Sequence, residues 1–438
     1  MDINDMLING KDEIPVIFVP GLFGSMGDDI IPGTGKWHFG VSTLIYGPFI
    51  RILEKIGYKL NRTLFISFYD WRKSCDDSAK NYLLETIKYV KGKTKSSKVN
   101  LIGHSMGGLV ARAYIQSDFY DYDVSKMILF GTPNAGTTDA YYFLTGGDAQ
   151  KEKSYQNSTL ELFVEGYLWL FGKLLKKEEM ELEQNQFIGI VDLLPNKRYG
   201  NYLFYKQNDG SMIFKAYSQM KCKNEFLDRL DEEKERIEER EIDVTIIGGT
   251  GEGTVKYLET EKWGVYELPT DRSTIGEKYS KDGDGTVMLE SAFSAPGDKY
   301  TIHDSHSNIL LRSEYILRRK LLGNYKLKAT ASAKLESNSP NFINLQIDGT
   351  GKILLKEDKG GKWVEIDKNT SFGSGELYYE SFQNNLKWLL LKGDKLKKVK
   401  LKYTSIEDEV VEWQIKSYKG VKNTKDVYMK RGNEMEVI

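Results

Sequence analysis

Residues 99–115 read Val-Asn-Leu-Ile-Gly-His-Ser-Met-Gly-Gly-Leu-Val-Ala-Arg-Ala-Tyr-Ile. The first four form a short apolar run typical of a buried strand, and the last seven have the composition of a helix. Between them, Gly103-x-Ser105-x-Gly107 puts a serine on a sharp turn from strand to helix, and the glycines let backbone and helix approach each other. The pattern predicts an accessible hydroxyl and makes Ser105 the predicted nucleophile; the alternative is an ordinary Gly-Ser turn.

Apolar strands and amphipathic helices alternate on both sides of this turn. Strands are predicted at 15–19, 64–68, 99–102 and 126–130, and a helix at 77–90. Continuous apolar strands that alternate with helices indicate a parallel sheet covered on both faces. Combined with the serine turn, this order predicts the α/β-hydrolase fold, a mostly parallel central sheet with helices on both faces.

The residue pattern of the chain changes twice after the fourth predicted strand. Residues 139–243 are mostly helical in pattern and are predicted to form a cap or lid inserted in the sheet. Within them, residues 231–241 are almost all charged and are predicted to be a solvated helix face. From about Asn324, short alternating runs separated by glycine-rich turns predict a small β-rich sandwich. The predicted domains are therefore a catalytic domain at 1–323 and a β-rich accessory domain at 324–438.

The composition is that of a folded globular protein. The 438 residues are 40% hydrophobic and 29% charged, and the net charge of −1 does not suggest a nucleic-acid partner. Cys75 and Cys222 are the only cysteines and are expected to be thiols rather than a bridge. We expect no metal and no cofactor, and the oligomeric state is left open. The acidic N-terminus has no signal-peptide pattern, which predicts a cytoplasmic protein or a mature secreted form.

A serine nucleophile needs a base, which follows it along the chain in this fold. The chain has four histidines, of which only His303 and His306 come after Ser105. Because His306 ends a loop directly before a helical run, it is the preferred base. His303 ends a predicted strand and is expected to make local hydrogen bonds.

The carboxylate that orients the base is expected in a glycine-rich turn between the serine and the histidine. Residues 281–287 read Lys-Asp-Gly-Asp-Gly-Thr-Val, and Asp284 is the favoured candidate over Asp282. A calcium loop is the other interpretation of Asp-Gly-Asp-Gly, but the further ligands and the closing glutamate are missing.

Two backbone N–H groups must face the negative charge that develops on the substrate oxygen. One is expected from Met106, the residue after the nucleophile. The other is expected from the turn at residues 20–25, directly after the first strand, with Leu22 as the donor and Phe23 as second choice. An ordinary Pro-Gly turn is the alternative interpretation of that segment.

The chain resembles the lecithin:cholesterol acyltransferase family, which includes lysosomal phospholipase A2 and phospholipid:diacylglycerol acyltransferases. Five ordered motifs carry the resemblance: Val-Pro-Gly-x-x-Gly-Ser at 19–25, Tyr-Asp-Trp-Arg at 69–72, Gly-His-Ser-Met-Gly-Gly at 103–108, Gly-Asp-Gly-Thr-Val at 283–287 and His-Ser-Asn-Ile-Leu at 306–310. The resemblance implies the family's triad roles for Ser105, Asp284 and His306, and its oxyanion roles for Leu22 and Met106. Two features depart from the family: no cysteine lies near residues 28–40, where animal members close a lid by a disulfide, and the tail beyond Asn324 is outside the pattern.

The expected substrate is an acyl lipid or another hydrophobic ester. Phe23, Trp71 and Trp169 are the candidate substrate-binding residues, with loop packing as the alternative for Trp71. Asp70 and Arg72 lie on the same side of an extended strand end and are expected to pair. Residues 160–175 are apolar around most of a helix, which predicts burial against the sheet or transient contact with a lipid interface.

Three functions fit the sequence. The first is a serine carboxylic-ester hydrolase of the lipase, phospholipase or esterase type, working through an acyl-enzyme on Ser105. The second is an acyltransferase that passes the acyl group to an alcohol. The third is a non-catalytic binding protein on a hydrolase scaffold, which the complete serine, acid and histidine set argues against.

Overall fold

The computed structural model describes residues 14–144, 167, 173, 187–261, 274–323, 342–357, 361–373, 375–382, 385–393, 396–417 and 420–438. Its helices are α1 (Thr43–Ile56), α2 (Cys75–Ser78), α3 (Leu84–Thr94), α4 (Met106–Gln116), α5 (Thr138–Leu144), α6 (Ile188–Val191), α7 (Glu225–Glu232), α8 (Glu235–Glu239), α9 (Leu289–Ala292), α10 (Asn308–Leu311) and α11 (Glu314–Leu322). In the described part of the chain, no helix is long and apolar enough to cross a membrane.

Two groups of strands follow one another along the chain. The first comprises β1 (Val16–Val19), β2 (Leu64–Ile66), β3 (Val99–His104), β4 (Val124–Phe130), β5 (Leu203–Lys206), β6 (Met212–Phe214), β7 (Asp243–Gly249), β8 (Thr254–Thr260), β9 (Thr274–Ser280) and β10 (Asp298–Ile302). The second comprises β11 (Phe342–Asp348), β12 (Lys352–Lys356), β13 (Val364–Glu365), β14 (Glu376–Ser381), β15 (Leu386–Lys392), β16 (Lys400–Thr404), β17 (Glu409–Ser417), β18 (Gly420–Met429) and β19 (Glu434–Glu436).

Packing divides the chain into two compact units. The first contains Met1–Ser25, Pro48–Gln156 and Glu181–Ala329, and the second contains Met26–Gly47, Asn157–Met180 and Thr330–Ile438. The second unit thus includes residues from before position 324, where the sequence predicts the boundary between the domains.

A six-stranded parallel sheet is the centre of the first unit, and it confirms the predicted fold class. The strand order is β10-β7-β4-β3-β1-β2, and all neighbours run parallel. The register aligns the last residues of the strands, for example Val19 with Gly103 and His104 with Phe130. The carboxyl ends therefore meet at one edge, which we call the carboxyl edge, and loops that leave it can converge on one site.

The segment between β4 and β7 is not only helical. Its described residues include α5 to α8, but β5 and β6 also lie there and join β8 and β9 in a four-stranded sheet. The sequence carries only a weak signal for these strands, because both are short and β6 is mostly exposed or half-buried. The predicted helical cap is corrected on this point.

The second unit contains two antiparallel sheets, in agreement with the predicted β-rich module. One has the order β14-β15-β11-β17-β18 and the other the order β13-β12-β16-β19. They share a hydrophobic core formed by alternate residues of their strands, such as Leu345, Leu389, Leu401, Tyr403 and Ile415. This alternation is typical of a sandwich with one face of each sheet turned inward.

Residues from earlier in the chain pack within this second unit. The Tyr378 hydroxyl lies 3.9 Å from the Met26 sulfur, and the Tyr167 ring meets the Trp388 ring edge to face at 5.3 Å. Lys173 forms an ion pair with Glu412. The β-rich module therefore has packing partners outside its own sequence.

Asp192 is a buried carboxyl group in the first unit, at the end of α6. It accepts a hydrogen bond of 2.6 Å from the N–H of Cys75, and both cysteines are thiols, as expected. Burial and, to a smaller extent, the nearby Asp76 carboxylate together raise the pKa of Asp192 from 3.8 to about 7, while the Cys75 N–H and Arg229 act in the opposite direction. The folded protein therefore holds this proton more tightly than the unfolded chain does.

We predict that Asp192→Asn makes the protein relatively more stable as the pH rises. Between the unfolded pKa of 3.8 and the folded value of about 7, the unfolded chain loses the proton first, so the wild type loses stability with increasing pH. The variant lacks this loss, and its advantage in free energy of unfolding should grow by on the order of 2 kcal/mol between about pH 5 and about pH 8.5.

Urea denaturation at both pH values measures this difference. Asp209→Asn is the control, because hydrogen bonds from Ser211 lower the pKa of that exposed carboxyl group. An Asp192→Asn advantage that does not increase with pH would contradict the prediction.

Candidate active site

Ser105 occupies a strained turn between β3 and α4. Its φ is 53° and its ψ −127°, a region that non-glycine residues avoid, and its N–H donates to the Phe130 carbonyl at 2.8 Å. A Cβ on Gly103 would lie 2.5 Å from the Gly108 Cα, and one on Gly107 would lie 2.2 Å from the Val19 carbonyl oxygen. The glycines are thus required because β3, α4 and the chain at the end of β1 are in contact at this point.

His306 and Asp284 form a hydrogen-bonded pair. The His306 Nδ1–H donates to Asp284 Oδ2 at 2.8 Å, and the His306 N–H donates to the Asp284 carbonyl at 2.8 Å. Asp284 Oδ1 accepts the N–H groups of Thr286 and Val287 at 3.0 and 2.8 Å. Because Nδ1 carries the proton, Nε2 of His306 is the nitrogen that can accept one.

The two alternatives named for these roles lie apart from the pair. Asp282 is exposed and accepts a hydrogen bond from the Ser280 hydroxyl at 3.2 Å. His303 is exposed and lies 3.5 Å from the Thr250 hydroxyl oxygen. The structure therefore brings together the preferred candidates, Asp284 and His306.

His104 supports the loop of His306 from below. Its Nε2–H donates to the His306 carbonyl at 3.0 Å, and the two rings lie 4.7 Å apart. Burial, together with the neighbouring His306 ring, lowers the pKa of His104 to about 3. His104 is therefore neutral at physiological pH. Its position inside the serine motif did not suggest that it would hold the His306 carbonyl.

Two glycines at the carboxyl edge make room for the pair. A Cβ on Gly131, which follows β4, would lie 2.8 Å from His306 Nδ1 and 3.1 Å from Asp284 Oδ2. A Cβ on Gly249, the last residue of β7, would lie 2.6 Å from the Asp284 Cβ. In the sequence, each of these positions is only a glycine at the end of a strand, and that pattern does not show that the His306–Asp284 pair lies against it.

One predicted oxyanion donor lies at the start of a helix and the other in a turn. Met106 is the first residue of α4, and Leu22 precedes Phe23 in a turn closed by the Gly24 N–H, which donates to the Gly21 carbonyl at 2.9 Å. Phe23 has a φ of 59° and is 3% exposed. The turn directly follows β1 at the carboxyl edge.

The predicted substrate-binding residues have different surroundings. Trp71 is 1% exposed, and its ring meets the Phe23 ring at 4.7 Å, edge to face. Trp169 lies outside the described residues, as does most of the apolar segment 160–175. The expected pairing of Asp70 and Arg72 is confirmed, with contacts of 2.9 and 2.8 Å to the two carboxylate oxygens.

Metal ligands are not grouped in the parts of the chain that the structure describes. Within those ranges, no three His, Cys, Asp or Glu side chains are placed to hold one ion. Asp284 uses its carboxylate oxygens for His306 and for the N–H groups of its own turn.

We predict that Gly131→Ala breaks the hydrogen bond between His306 and Asp284. The added methyl group would overlap the His306 ring, and the φ of 51° adds backbone strain. The downfield proton NMR resonance of the His306 Nδ1–H should disappear. Gly200→Ala is the matched control, because Gly200 also has a positive φ of 88° but nothing lies within 4 Å of its added Cβ. Retention of the resonance in folded Gly131→Ala would contradict the prediction.

Comparison with known proteins agrees with the motifs. A family model described as lecithin:cholesterol acyltransferase matches residues 39–235, which confirms the resemblance over a range that includes the 69–72 and 103–108 motifs. No curated protein matches the chain.

Several solved structures are distantly similar. The lipase BlEst2 of Bacillus licheniformis in its propeptide form is 12% identical with a TM-score of 0.39, over 98% of this chain and 96% of that chain. Phospholipase PlaB from Legionella pneumophila is 11% identical with a TM-score of 0.37, over 93% and 85%. Carboxylesterase CesB from Bacillus subtilis is 12% identical with a TM-score of 0.32, over 71% and 84%.

Proposed function

We propose that this chain, whose residues 39–235 match the lecithin:cholesterol acyltransferase family model, is a serine carboxylic-ester hydrolase that acts on acyl lipids or other hydrophobic esters. The observation that carries the proposal is the His306–Asp284 pair at the same carboxyl edge as the strained Ser105 turn. A hydroxyl on a strained turn and a histidine held in one tautomer by a buried carboxylate are the parts that nucleophilic acyl transfer requires.

The proposed reaction has two steps. The Ser105 oxygen attacks the ester carbonyl while its proton passes to His306 Nε2, and the carbonyl oxygen becomes an oxyanion facing the N–H groups of Leu22 and Met106. The C–O bond to the leaving alcohol then breaks, and the alcohol takes the proton from His306. In the second step, water or another alcohol attacks the acyl-enzyme by the same route and restores Ser105.

Asp284 has a positioning role in this scheme. Its Oδ2 accepts a hydrogen bond from the Nδ1–H of His306, which leaves Nε2 as the base, and its charge stabilises the imidazolium. The two N–H groups that Oδ1 accepts fix the carboxylate within its own turn. The part of Phe23 and Trp169 in substrate binding stays a prediction, whereas the buried Trp71 has the loop packing that was its alternative interpretation.

The family match also favours an acyltransferase as second candidate. Both activities share the acyl-enzyme and differ only in whether water or an alcohol reacts with it. A binding protein without catalysis remains the third function, and the experiments below separate all three.

We predict that Ser105→Ala abolishes ester hydrolysis and labelling by a fluorophosphonate probe. Loss of the nucleophile should lower kcat for a p-nitrophenyl ester at least about 10³-fold. Ser117→Ala, just after the other end of α4, is the matched control and should keep full activity. A wild-type chain that is neither labelled nor active would instead support the binding protein, and an active, folded Ser105→Ala variant would refute Ser105 as nucleophile.

We predict that the acyl group of phosphatidylcholine vesicles is released mainly as free fatty acid. The same vesicles with an added long-chain alcohol measure the competition, because an acyl ester of that alcohol forms only if the alcohol reaches the acyl-enzyme. Mass spectrometry of the products gives the ratio of the two. Predominant ester formation would reject the hydrolase in favour of the transferase.

A further inference from the structure

The turn that carries Leu22 is held in an unfavourable backbone conformation. Residues 20–25, which we call the oxyanion loop, contain a turn from Gly21 to Gly24 with a positive φ only at its third residue, Phe23. This is the pattern of a type II turn, whose third position favours glycine or asparagine. A phenylalanine persists there only if its surroundings hold it in place.

The tetrad at residues 69–72 supplies those surroundings. The Tyr69 hydroxyl donates to the Pro20 carbonyl at 2.9 Å, and the Trp71 indole N–H donates to the Ser25 carbonyl at 3.0 Å. These bonds fix the first and last residues of the oxyanion loop. Between them, the Trp71 ring packs against the Phe23 ring at 4.7 Å.

The other two members of the tetrad hold the tetrad itself. Asp70 and Arg72 form a bidentate ion pair, and the Asp70 side chain is only 3% exposed. The Gly189 N–H donates to the Arg72 carbonyl at 3.1 Å, and the Phe187 ring stacks on Trp71 at 6.2 Å. The tetrad thus binds the oxyanion loop on one side and the start of α6 on the other.

We propose that Tyr69 and Trp71 are positioning residues that fix the oxyanion loop, acting through Pro20, Phe23 and Ser25 rather than by touching substrate. The inference rests on the proposed function, in which the Leu22 N–H faces the oxyanion. Displacing a catalytic group by about 1 Å can cost about 10²-fold in rate, so a loop that holds a strained turn needs such support.

Tyr69→Phe and Trp71→Phe test this role. Each keeps an aromatic ring and removes one donor to the oxyanion loop. Kinetics with an ester and its thionoester analogue give a readout specific to the oxyanion, because sulfur accepts hydrogen bonds from N–H groups more weakly than oxygen does. Tyr199→Phe is the matched control: its hydroxyl donates to the Lys256 carbonyl at 3.0 Å, in the four-stranded sheet of β5, β6, β8 and β9.

For both tetrad variants, we expect kcat for the oxygen ester to fall about 10-fold to 100-fold with KM within about twofold of wild type. The thionoester rate should fall much less, so the ratio of the two rates should drop by about 10-fold. Active-site titration with a fluorophosphonate normalises the rates to folded enzyme, since a variant that merely folds poorly loses both rates equally.

A wild-type ratio in folded Tyr69→Phe or Trp71→Phe would overturn the positioning role. So would an equal drop of the ratio in Tyr199→Phe, because that change leaves the oxyanion loop untouched. A wild-type chain that no fluorophosphonate labels would refute the proposed function itself, which is a separate result.

Discussion

The backbone of Ser105 has a conformation that L-amino acids avoid, at a cost of about 1–3 kcal/mol, and much of the first unit is built around keeping it there. The turn holds only because β3, α4 and the loop after β1 come into contact, which Gly103 and Gly107 permit. The Ser105 N–H bonds to the end of the neighbouring strand β4, so the turn is also tied to the sheet. One residue in an unfavourable conformation thus requires close packing of three segments.

The strand register also places the segments that carry the His306–Asp284 pair and its neighbouring glycines at the same edge of the sheet. β3 and β4 end at the paired residues His104 and Phe130, and β7 continues from Ile247, the partner of Phe130, to Gly249, so the segments that follow these strands leave the same edge of the sheet. Gly131 and Gly249 leave the space that the His306–Asp284 pair fills, and neutral His104 holds the His306 carbonyl. Because burial keeps His104 neutral, it adds no positive charge beside His306, and the charged group that bonds to His306 is the Asp284 carboxylate.

Local patterns were sufficient to predict β1 to β4 of the central sheet and the serine turn, since each is encoded within about ten residues. The choice of His306 over His303 also followed from its position at a loop end, and Asp284 was favoured over Asp282 because Gly285-Thr-Val follows it in a glycine-rich turn. The features that the sequence did not predict depend on contacts between residues that are distant along the chain. The bonds from Tyr69 and Trp71 to the loop after β1 join residues more than forty positions apart. β5 is a further case, because it is stabilised by pairing with β8, about fifty residues later.

The insertion between β4 and β7 is attached to helix α4 by buried polar contacts. Arg112 on α4 is buried and donates to the carbonyls of Leu230 and Asn134, and burial lowers its pKa only to about 10, so it stays charged.

Residues predicted to be a solvated helix face take part in the same attachment. Arg236 donates to the Gln116 carbonyl at 2.7 Å and Arg240 to the Ile115 carbonyl, while Ile237 is buried. Removing one partner of a buried charge is costly, so separating α7 from α4 would take the Leu230 carbonyl away from the buried Arg112 guanidinium. Helix α4 is consequently fixed at both ends, by the Ser105 turn at its start and by these arginines at its end.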